Sequence, residues 1–502
     1  MKKLLAYMLS AAMLLMTSCD SFLERKAQNL VVPTKCSQYK EMLNSEGYFD
    51  TCYSAGWWIY LMTDDIAYFN DTNGDDSKIV ESYYFQGYRN IYTFQPEIEL
   101  EDEGFTDKFF RYMYEQALVA NLVLEAIDDL EGTEEEHLVL RGQALFHRAY
   151  AYFLLANTYC DVYSEENRDT PGIYLNLSYT PKVGAYGRNT IGEVWDQIKK
   201  DLEDSMECLK DYTTLNRYEI DYKAPLHLAA RTALFMGDWK LCRNYSEEML
   251  ALNPKLFDIT AKTACTNTKD TFFYNDDVIG FISTDNPEIL VVMGRTNSGG
   301  IGDKFNGGSA TSLFAVSEDL VDCYQYDEIR KSGDHRLPFF FHPPLYPSCA
   351  EHAAEFNHYI PFKFDYDDGY VRGLVFRTGE TYLNLAEACL HLGEMSVALQ
   401  YLNTLRAARI DNYTPLAASD FTSDDYMLRF LFEERRRELC FEEYHRWWDL
   451  RRSGKPSVSH VWKDGLTYSL EEGDAAYTLA WPLEERQIDE SVANDRPPRQ
   501  GK

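Results

Sequence analysis

Two stretches of the chain repeat one pattern, in which an apolar helical stretch meets a glycine and a second helical stretch follows. The glycines are Gly237 and Gly393. Five positions after each glycine stands a small side chain, Cys242 in the first stretch and Ala398 in the second. Paired helices of repeat proteins cross closely only where the side chain between them is small. The pattern therefore predicts tetratricopeptide-type helix pairs and restricts the chain to a helical-repeat fold.

Three further segments place apolar residues at helical spacing: 109–130, 137–160 and 190–210. The last of them opens with Thr190 followed three residues later by Glu193, which is a capping box. The sequence thus predicts a mainly α fold with a tetratricopeptide-like scaffold of about four helix pairs. The predicted pairs lie around 109–160, 190–255 and 377–452.

Two long irregular blocks, 47–105 and 256–370, interrupt the helical pattern and are predicted to be partly β. The first block is rich in Trp and Tyr among Gly, Asn and Asp, and the second combines a Gly-rich stretch with several Pro. Insertions of this length in a compact protein usually carry function. We therefore look for a ligand surface in these two insertions.

The charge balance excludes one large class of partners. The chain has 49 Lys+Arg against 81 Asp+Glu, a net charge of −32, so it repels the phosphate backbone of nucleic acids. The sequence also lacks the G-x-S-x-G, H-E-x-x-H and G-x-x-x-x-G-K-[ST] motifs of hydrolases and nucleotide-binding proteins. Glycoside hydrolysis needs only two carboxylates, but 81 acidic residues make some adjacent pair inevitable. We therefore expect a binding protein and not an enzyme.

The amino terminus predicts export and anchoring. Two lysines precede an apolar run from Leu4 to Met16, and Thr17-Ser18-Cys19 follows. A basic region, a short apolar region and small residues form a secretory signal, and the run is too short to span a membrane. Cysteine directly after small residues resembles a bacterial lipobox, in which Cys19 is diacylated; ordinary secretion with an incidental cysteine is the alternative. We predict a lipoprotein signal peptide at 1–18 and a lipidated tether at 19–35.

The aromatic residues of the first insertion fit sugar recognition, because the C–H face of a pyranose stacks on Trp or Tyr while carboxylates and amides bind its hydroxyls. The alternative is that these aromatics form the core of a fold that is rich in tyrosine, with 37 Tyr in all. Chosen by their neighbourhood, the candidate ligand-binding residues are Trp57, Asp65, Tyr68, Tyr84 and Tyr88.

One segment resembles a calcium loop. Asp71, Asn73 and Asp75 supply oxygen ligands at positions 1, 3 and 5 of such a loop. The sixth position is Asp76 where a glycine is usual, and the twelfth is Ser82 where a glutamate is usual. An exposed turn explains the segment equally well, and we predict no other metal or cofactor.

The run FLFEERRRELCFEEYHRWWDLRRSGK, residues 430–455, alternates arginines with glutamates in a helix-like pattern. Its plainest interpretation is a salt-bridged helix packed through its Phe, Leu and Trp side chains. The pattern E-R-x-x-E-L-x-x-E, then Arg, then W-D-L-x-R, resembles the C-terminal motif of the SusD/RagB family. The residues that carry this resemblance are Glu434, Arg435, Glu438, Leu439, Glu442, Arg446, Trp448, Asp449, Leu450 and Arg452.

Other blocks look like the same family along nearly the whole mature chain. They include Phe376-Arg377 with Glu380, Gly237-Asp238-Trp239, Arg141-Gly142-Gln143-Ala144, Asn121 and Thr63-Asp64-Asp65. The early helix departs from the family in having Gly142 where Ala or Glu is commoner.

The resemblance implies a single domain over 36–502 in an outer-membrane, surface-exposed lipoprotein without catalytic activity. Such proteins capture glycans or other nutrients for a SusC-like TonB-dependent transporter. The helix pairs would meet the transporter, the insertions would bind an oligosaccharide, and the acidity of the chain slightly favours a neutral glycan. A peptide-binding or purely structural lid of such a transporter is the alternative.

Overall fold

The structure is a computed structural model. It describes residues 33–45, 47, 49, 55–68, 85–99, 105–180, 187–260, 281–294, 314–327, 329–342, 359–361, 363, 374–462 and 465–502.

Helices dominate the described chain. In chain order they are α1 (Cys36–Ser45), α2 (Phe85–Tyr92), α3 (Phe109–Ala126), α4 (Glu134–Tyr159), α5 (Ile191–Leu209), α6 (Lys223–Phe235), α7 (Trp239–Leu252), α8 (Glu318–Asp322), α9 (Arg336–Phe340), α10 (Thr378–His391), α11 (Met395–Ala407), α12 (Asp424–Leu439), α13 (His445–Arg452) and α14 (Leu483–Ile488).

The strands are short and pair two by two. They are β1 (Ile66–Tyr68), β2 (Ile289–Val292), β3 (Phe314–Val316), β4 (Tyr326–Asp327), β5 (Ser332–Gly333), β6 (Phe341–His342), β7 (Ile360–Pro361), β8 (Val375–Arg377), β9 (Val458–Val461) and β10 (Thr467–Leu470). The antiparallel pairs are β1–β3, β2–β8, β4–β5, β6–β7 and β9–β10.

The helices form the predicted scaffold of successive pairs. Helix α4 packs between α3 and α5, α6 packs against α7, and α10 lies between α7 and α11. The capping box at Thr190 is present, since its hydroxyl accepts from the N–H of Glu193 and the Glu193 carboxylate accepts from the N–H of Thr190. The two predicted glycine turns adopt the left-handed conformation, with φ of 75° at Gly237 and 76° at Gly393. The prediction of a mainly α, helical-repeat fold is confirmed.

The C-terminal charged run is two helices where the sequence suggested one. Helix α12 ends at Leu439 and α13 begins at His445. Between them Phe441 and Glu443 have φ of 60° and 43°, a conformation that costs a residue with a side chain about 1–2 kcal/mol. The turn lets neighbouring carboxylates reach different partners: Glu442 meets Arg377, and Glu443 meets Arg231. These buried ion pairs hold the turn in its strained conformation.

The two insertions meet in the β1–β3 ladder. Its register pairs Ile66 with Val316 and Tyr68 with Phe314, so the first insertion is tied to the second. Strand β2 of the second insertion pairs with β8, which leads directly into α10. The insertions are therefore partly β, as predicted, and are attached to each other and to the helices.

The interior of the molecule contains many charges. The largest fully buried side chains include five arginines as well as four tryptophans. The arginines are Arg231, Arg336, Arg377, Arg409 and Arg435. In the part of the chain that the structure describes, no helix has the length and apolar character needed to cross a membrane.

Two carboxylates near the start of α3 are buried beside each other. Glu99 accepts from the N–H of Asp107 and from that of Leu483, the first residue of α14, both at 2.5 Å. Asp107 accepts from the hydroxyl of Tyr159 at 2.5 Å and from the N–H of Phe109 at 2.9 Å. Burial, together with the charge of Glu99, raises the pKa of Asp107 to about 7. The folded protein therefore binds a proton at Asp107 that the unfolded chain releases near pH 4.

We expect Asp107→Asn to remove a pH dependence of stability. Because the pKa is raised in the folded state, the contribution of Asp107 falls as pH rises from about 4 to about 7, by up to about 1.4 kcal/mol per pH unit. An asparagine imitates the protonated acid, since its oxygen accepts from Phe109 and its amide donates to Tyr159. In urea unfolding between pH 4 and 8, the free energy of unfolding of the variant should rise relative to that of the wild type as pH increases to about 7. Parallel curves for the two proteins would contradict this assignment, and Asp128→Asn, at an exposed site, is the control.

Candidate functional site

An aromatic cluster forms where β1, α2 and the β9–β10 hairpin meet. We define it by Trp57, Tyr68, Tyr88, Tyr92 and Trp462. The ring centroids of Tyr68 and Trp462 lie 4.6 Å apart, and those of Tyr92 and Trp462 lie 5.7 Å apart. Trp57 meets Tyr88 edge to face at 5.1 Å. The cluster thus joins both ends of the first insertion to a hairpin far along the chain.

His460 fixes the hairpin to this insertion. Its ring stacks on Tyr92 at 4.2 Å and on Phe94 at 4.5 Å, with interplanar angles of 11° and 25°. Its Nδ1 lies 2.7 Å from the carbonyl oxygen of Tyr92, and its Nε2 lies 2.9 Å from that of Thr63. The imidazole is held on both faces and at both nitrogens, which makes the base of the aromatic cluster rigid.

Exposure separates the members of the cluster. Trp57, Tyr92 and Trp462 are buried, whereas Tyr68 and Tyr88 are half-buried and reach the surface. The structure therefore places Trp57 against Tyr88 and Tyr68 against Trp462, in two ring contacts of the same hydrophobic core. The two tyrosines are the members that keep part of their surface exposed, although the Tyr68 hydroxyl is buried, and their role in binding stays a prediction.

Asp65 lies inside the protein. Its carboxylate is fully buried, and Oδ1 accepts from Nε–H of Arg436 at 2.7 Å. Burial raises the pKa of Asp65, and the arginine opposes that effect. The predicted contact of Asp65 with a ligand is untested, and this carboxylate offers no solvent-facing atom in the structure.

Several predicted residues lie outside the described residues. They are the lipidation site Cys19, the ligand candidate Tyr84, and the calcium-loop residues Asp71, Asn73 and Asp75. Their assignments stay predictions.

The C-terminal motif holds the insertions to the scaffold through an ion-pair group that we call the insertion clamp: Asp64, Asp65, Asp319, Arg436 and Arg446. Arg436 donates to Asp65 and to Asp319 Oδ2, each at 2.7 Å. Arg446 binds Asp64 through two hydrogen bonds of 2.7 and 2.6 Å. Asp64 and Asp65 belong to the first insertion and Asp319 to the second, so α12 and α13 grip both.

A second group of buried charges lies under the second insertion. Arg377 donates to Glu438 at 2.7 Å and to Glu288 at 3.1 Å, and Arg409 donates to the same two carboxylates at 2.9 and 2.6 Å. Burial alone would raise the pKa of Glu438, but the surrounding arginines Arg409, Arg377 and Arg336 hold it well below its usual range. Glu438 therefore stays ionised, and both carboxylates serve as internal partners for the arginines.

A third group surrounds Arg231 on α6. Its guanidinium donates to both oxygens of Glu380, at 2.7 and 2.5 Å, and to both oxygens of Glu443, at 2.7 and 2.8 Å. Glu380, Glu443 and His445 offer ligand atoms within 4.8 Å of one another, the spacing of a metal site. Arg231 already occupies both carboxylates, and a cation there would face the guanidinium. We therefore interpret the group as an ion-pair centre that joins α6, α10 and the turn before α13.

Sequence reasoning missed Trp462 and His460. The signal was present, because Val458, His460 and Trp462 alternate ahead of an Asp-Gly pair at 464–465, which is a hairpin pattern. The sequence does not indicate which segment packs against that hairpin, because the contacting residues lie about four hundred positions earlier in the chain.

Comparison with known proteins gives matches over both halves of the chain. A SusD-like family model described as "Starch-binding associating with outer membrane" matches residues 22–234, and the SusD family model matches residues 368–492. SusD-like protein P38 of Formosa agariphila is 23% identical over 423 residues, which cover 75% of this chain and 76% of that protein.

Solved structures share the fold. A SusD-like carbohydrate binding protein from Bacteroides vulgatus superposes with a TM-score of 0.67 at 21% identity, covering 92% of this chain and 98% of that one. A SusD superfamily protein from Bacteroides thetaiotaomicron superposes with a TM-score of 0.68 at 18% identity, covering 92% and 100%. By its fold, this chain is therefore a helical-repeat protein with long insertions.

Within that class, the chain belongs to the SusD/RagB family, because two family models match it and together take in more than half of its length. The resemblance seen in the C-terminal motif is confirmed. The family is one of carbohydrate-binding proteins associated with the outer membrane.

Proposed function

We propose that this chain is a non-catalytic, lipid-anchored protein of the cell surface that captures oligosaccharides for a SusC-like TonB-dependent transporter. The observation that carries the proposal is the aromatic cluster, in which half-buried Tyr68 and Tyr88 lie on a rigid base built from both insertions and the hairpin. A pyranose stacks on such a ring without any catalytic group. Membership of a carbohydrate-binding family supports the choice of ligand class.

The buried charges support a non-catalytic role. The carboxylates of the charged groups around Arg231 and Arg377, Glu380, Glu438 and Glu443, are at most 1% exposed and each bonds to an arginine. A general acid or base must reach its substrate directly or through one water. These buried groups bind arginines inside the fold, and we assign ligand binding to the aromatic rings instead.

Anchoring follows from the amino terminus. Diacylation of Cys19 gives two acyl chains, and two chains hold a protein to a membrane where one does not. The predicted tether at 19–35 then separates the lipid from α1, which begins at Cys36. Such an anchor would hold the folded body at the membrane surface, within reach of a transporter in the same membrane.

The first test is affinity electrophoresis of the purified protein against plant, host and microbial polysaccharides. We expect one glycan class to retard it, with no release of reducing sugars from the same glycan. Released product would overturn the non-catalytic assignment. No retardation by any glycan would favour the peptide-binding or purely structural lid, and co-purification with the transporter would then be the measurement that remains.

Tyr68→Ala and Tyr88→Ala are expected to weaken glycan binding by about tenfold together, since a stacked ring contributes about 0.5–1.5 kcal/mol. Tyr426→Ala is the matched control, because Tyr426 is a 43% exposed tyrosine at the start of α12 and is not a member of the aromatic cluster. The dissociation constant for the retarding glycan measures the effect. Equal affinity in all variants would remove the two tyrosines from the site and leave the capture role standing.

A further inference from the structure

His460 lies where the β9–β10 hairpin meets the first insertion, and it is 3% exposed. Its Nδ1 faces the carbonyl oxygen of Tyr92 at 2.7 Å, and its Nε2 faces that of Thr63 at 2.9 Å. A neutral imidazole has one N–H, whereas an imidazolium has two. A neutral His460 therefore donates to one of these carbonyls, and only the protonated ring donates to both.

The charged groups around this ring already have partners. Besides the stacked ring of Tyr92, the titratable and charged side chains that come from the neighbouring elements are Asp64, Asp65, Arg89, Arg436, Arg446 and Tyr468. Arg446 binds Asp64 and Arg436 binds Asp65. Arg89 donates to the hydroxyl of Tyr468, which stands opposite His460 in the hairpin. A proton on His460 thus adds a buried positive charge while both carboxylates are already bound by arginines.

Two effects act on such a proton in opposite directions. The carbonyl oxygens and the faces of Tyr92 and Phe94 attract an imidazolium, but burial removes the water that would solvate it. Burial lowers the pKa of His460, and the two carbonyls and Asp64 offset only part of that effect. A solvated histidine has a pKa of about 6.5, so the detached hairpin takes up a proton more readily than the attached one. Attachment therefore weakens as pH falls below about 6.5.

We propose that His460 is a proton-sensitive joint, and that acidification favours detachment of the β9–β10 hairpin from the first insertion. Detachment separates Trp462 from Tyr68, whose ring centroids lie 4.6 Å apart in the attached form. A hairpin of two strands is not stable in water by itself, so its amides should exchange with solvent once it detaches. The inference goes beyond the proposed function and does not rest on it.

Hydrogen exchange of the purified protein at pH 7.5 and pH 5.5, corrected for the intrinsic exchange rate at each pH, tests the joint. We expect the equilibrium constant for opening of β9 and β10 to rise by about threefold to tenfold at pH 5.5, and that of α4 to change less. His460→Gln has two amide N–H groups that do not titrate, so the rise should disappear. An opening constant that stays equal or falls at pH 5.5 in the wild type would overturn the proposal, and that measurement needs no variant.

His137→Gln is the matched control. Both nitrogens of His137 also face carbonyl oxygens, those of Thr133 at 2.7 Å and Leu130 at 3.1 Å, but this histidine lies in the first turn of α4. The variant should keep the full response of the hairpin to pH. Loss of the response in His137→Gln, or its persistence in His460→Gln, would assign the response to another group and overturn the proposal.

Discussion

Arg231→Met is expected to lower the free energy of unfolding by about 3–5 kcal/mol, because it leaves two buried carboxylates without their cation. Arg231, Glu380 and Glu443 are each at most 1% exposed, and four hydrogen bonds join them. The aliphatic methionine fills part of the space but neutralises neither charge. Urea unfolding at pH 7.5 measures the effect.

The matched control is Arg243→Met on the neighbouring helix α7. Arg243 also binds two carboxylates, Glu247 at 2.8 Å and Glu394 at 2.6 Å, but its side chain is 30% exposed. Water replaces those contacts, so we expect a loss of about 0–1 kcal/mol. Similar losses in the two variants would mean that burial does not decide the strength of these pairs.

The effect of Arg231→Met should also depend on pH. In the wild type, Arg231 and the nearby histidines overcome the effect of burial and hold the pKa of Glu380 well below its usual range. The stability from this depressed pKa is present above about pH 4.5 and is lost as pH falls through the folded value. In the variant the guanidinium no longer opposes burial and only the two histidines remain, so the pKa of Glu380 rises and protonation relieves the buried charge. The destabilisation should therefore shrink between pH 7.5 and pH 4.5.

Arg436→Met is expected to release both insertions from the helices, at a cost of about 3–5 kcal/mol in local stability. Arg436 is 7% exposed and binds Asp65 and Asp319, one from each insertion, and also the carbonyl oxygen of Asp64 at 2.9 Å. Without it, the buried Asp65 keeps only the longer ion pair with Arg446, at 4.0 Å. Hydrogen exchange should accelerate in β1 and α8 while α4 stays protected, and glycan affinity should fall with it.

The adjacent Arg437 provides the control for that experiment. It is 8% exposed and binds Glu434, which Arg336 and Arg406 also bind. Arg437→Met therefore leaves Glu434 neutralised and should not change hydrogen exchange in either insertion. Faster exchange in α4 of Arg436→Met, equal to that in β1, would mean that the loss is global and that the clamp has no separate role.

Local rules made the scaffold predictable. A capping box at Thr190 and glycines at the two turns specify helix ends from neighbouring residues alone, and the structure has them in place. The break at Phe441 was not predictable in this way, because its positive φ is maintained by ion pairs to Arg231 and Arg377, which lie far away in the sequence. Periodicity describes what a segment prefers, and distant partners decide where it bends.

The candidate site shows the same division. Composition indicated that aromatic residues gather in the first insertion, and Trp57 does meet Tyr88, while Tyr68 meets Trp462 from the C-terminal hairpin. The environment of Tyr68 and Asp65 depends on residues from the other end of the chain, since Trp462 packs against Tyr68 and Arg436 pairs with the buried Asp65. The exposure of these residues could not be predicted from the neighbouring sequence, because the residues that pack against them come from the other end of the chain.

The insertion clamp sets a condition for grafting an insertion from one family member onto the helices of another. Arg436 on α12 and Arg446 on α13 bind three carboxylates of the two insertions, beside the β1–β3 and β2–β8 ladders and the ion pairs of Glu288 that also attach them. A graft from another member would need an Asp-Asp pair ahead of its first strand and an acid opposite Arg436 to keep these contacts, together with the apolar side chains by which each insertion packs into the core.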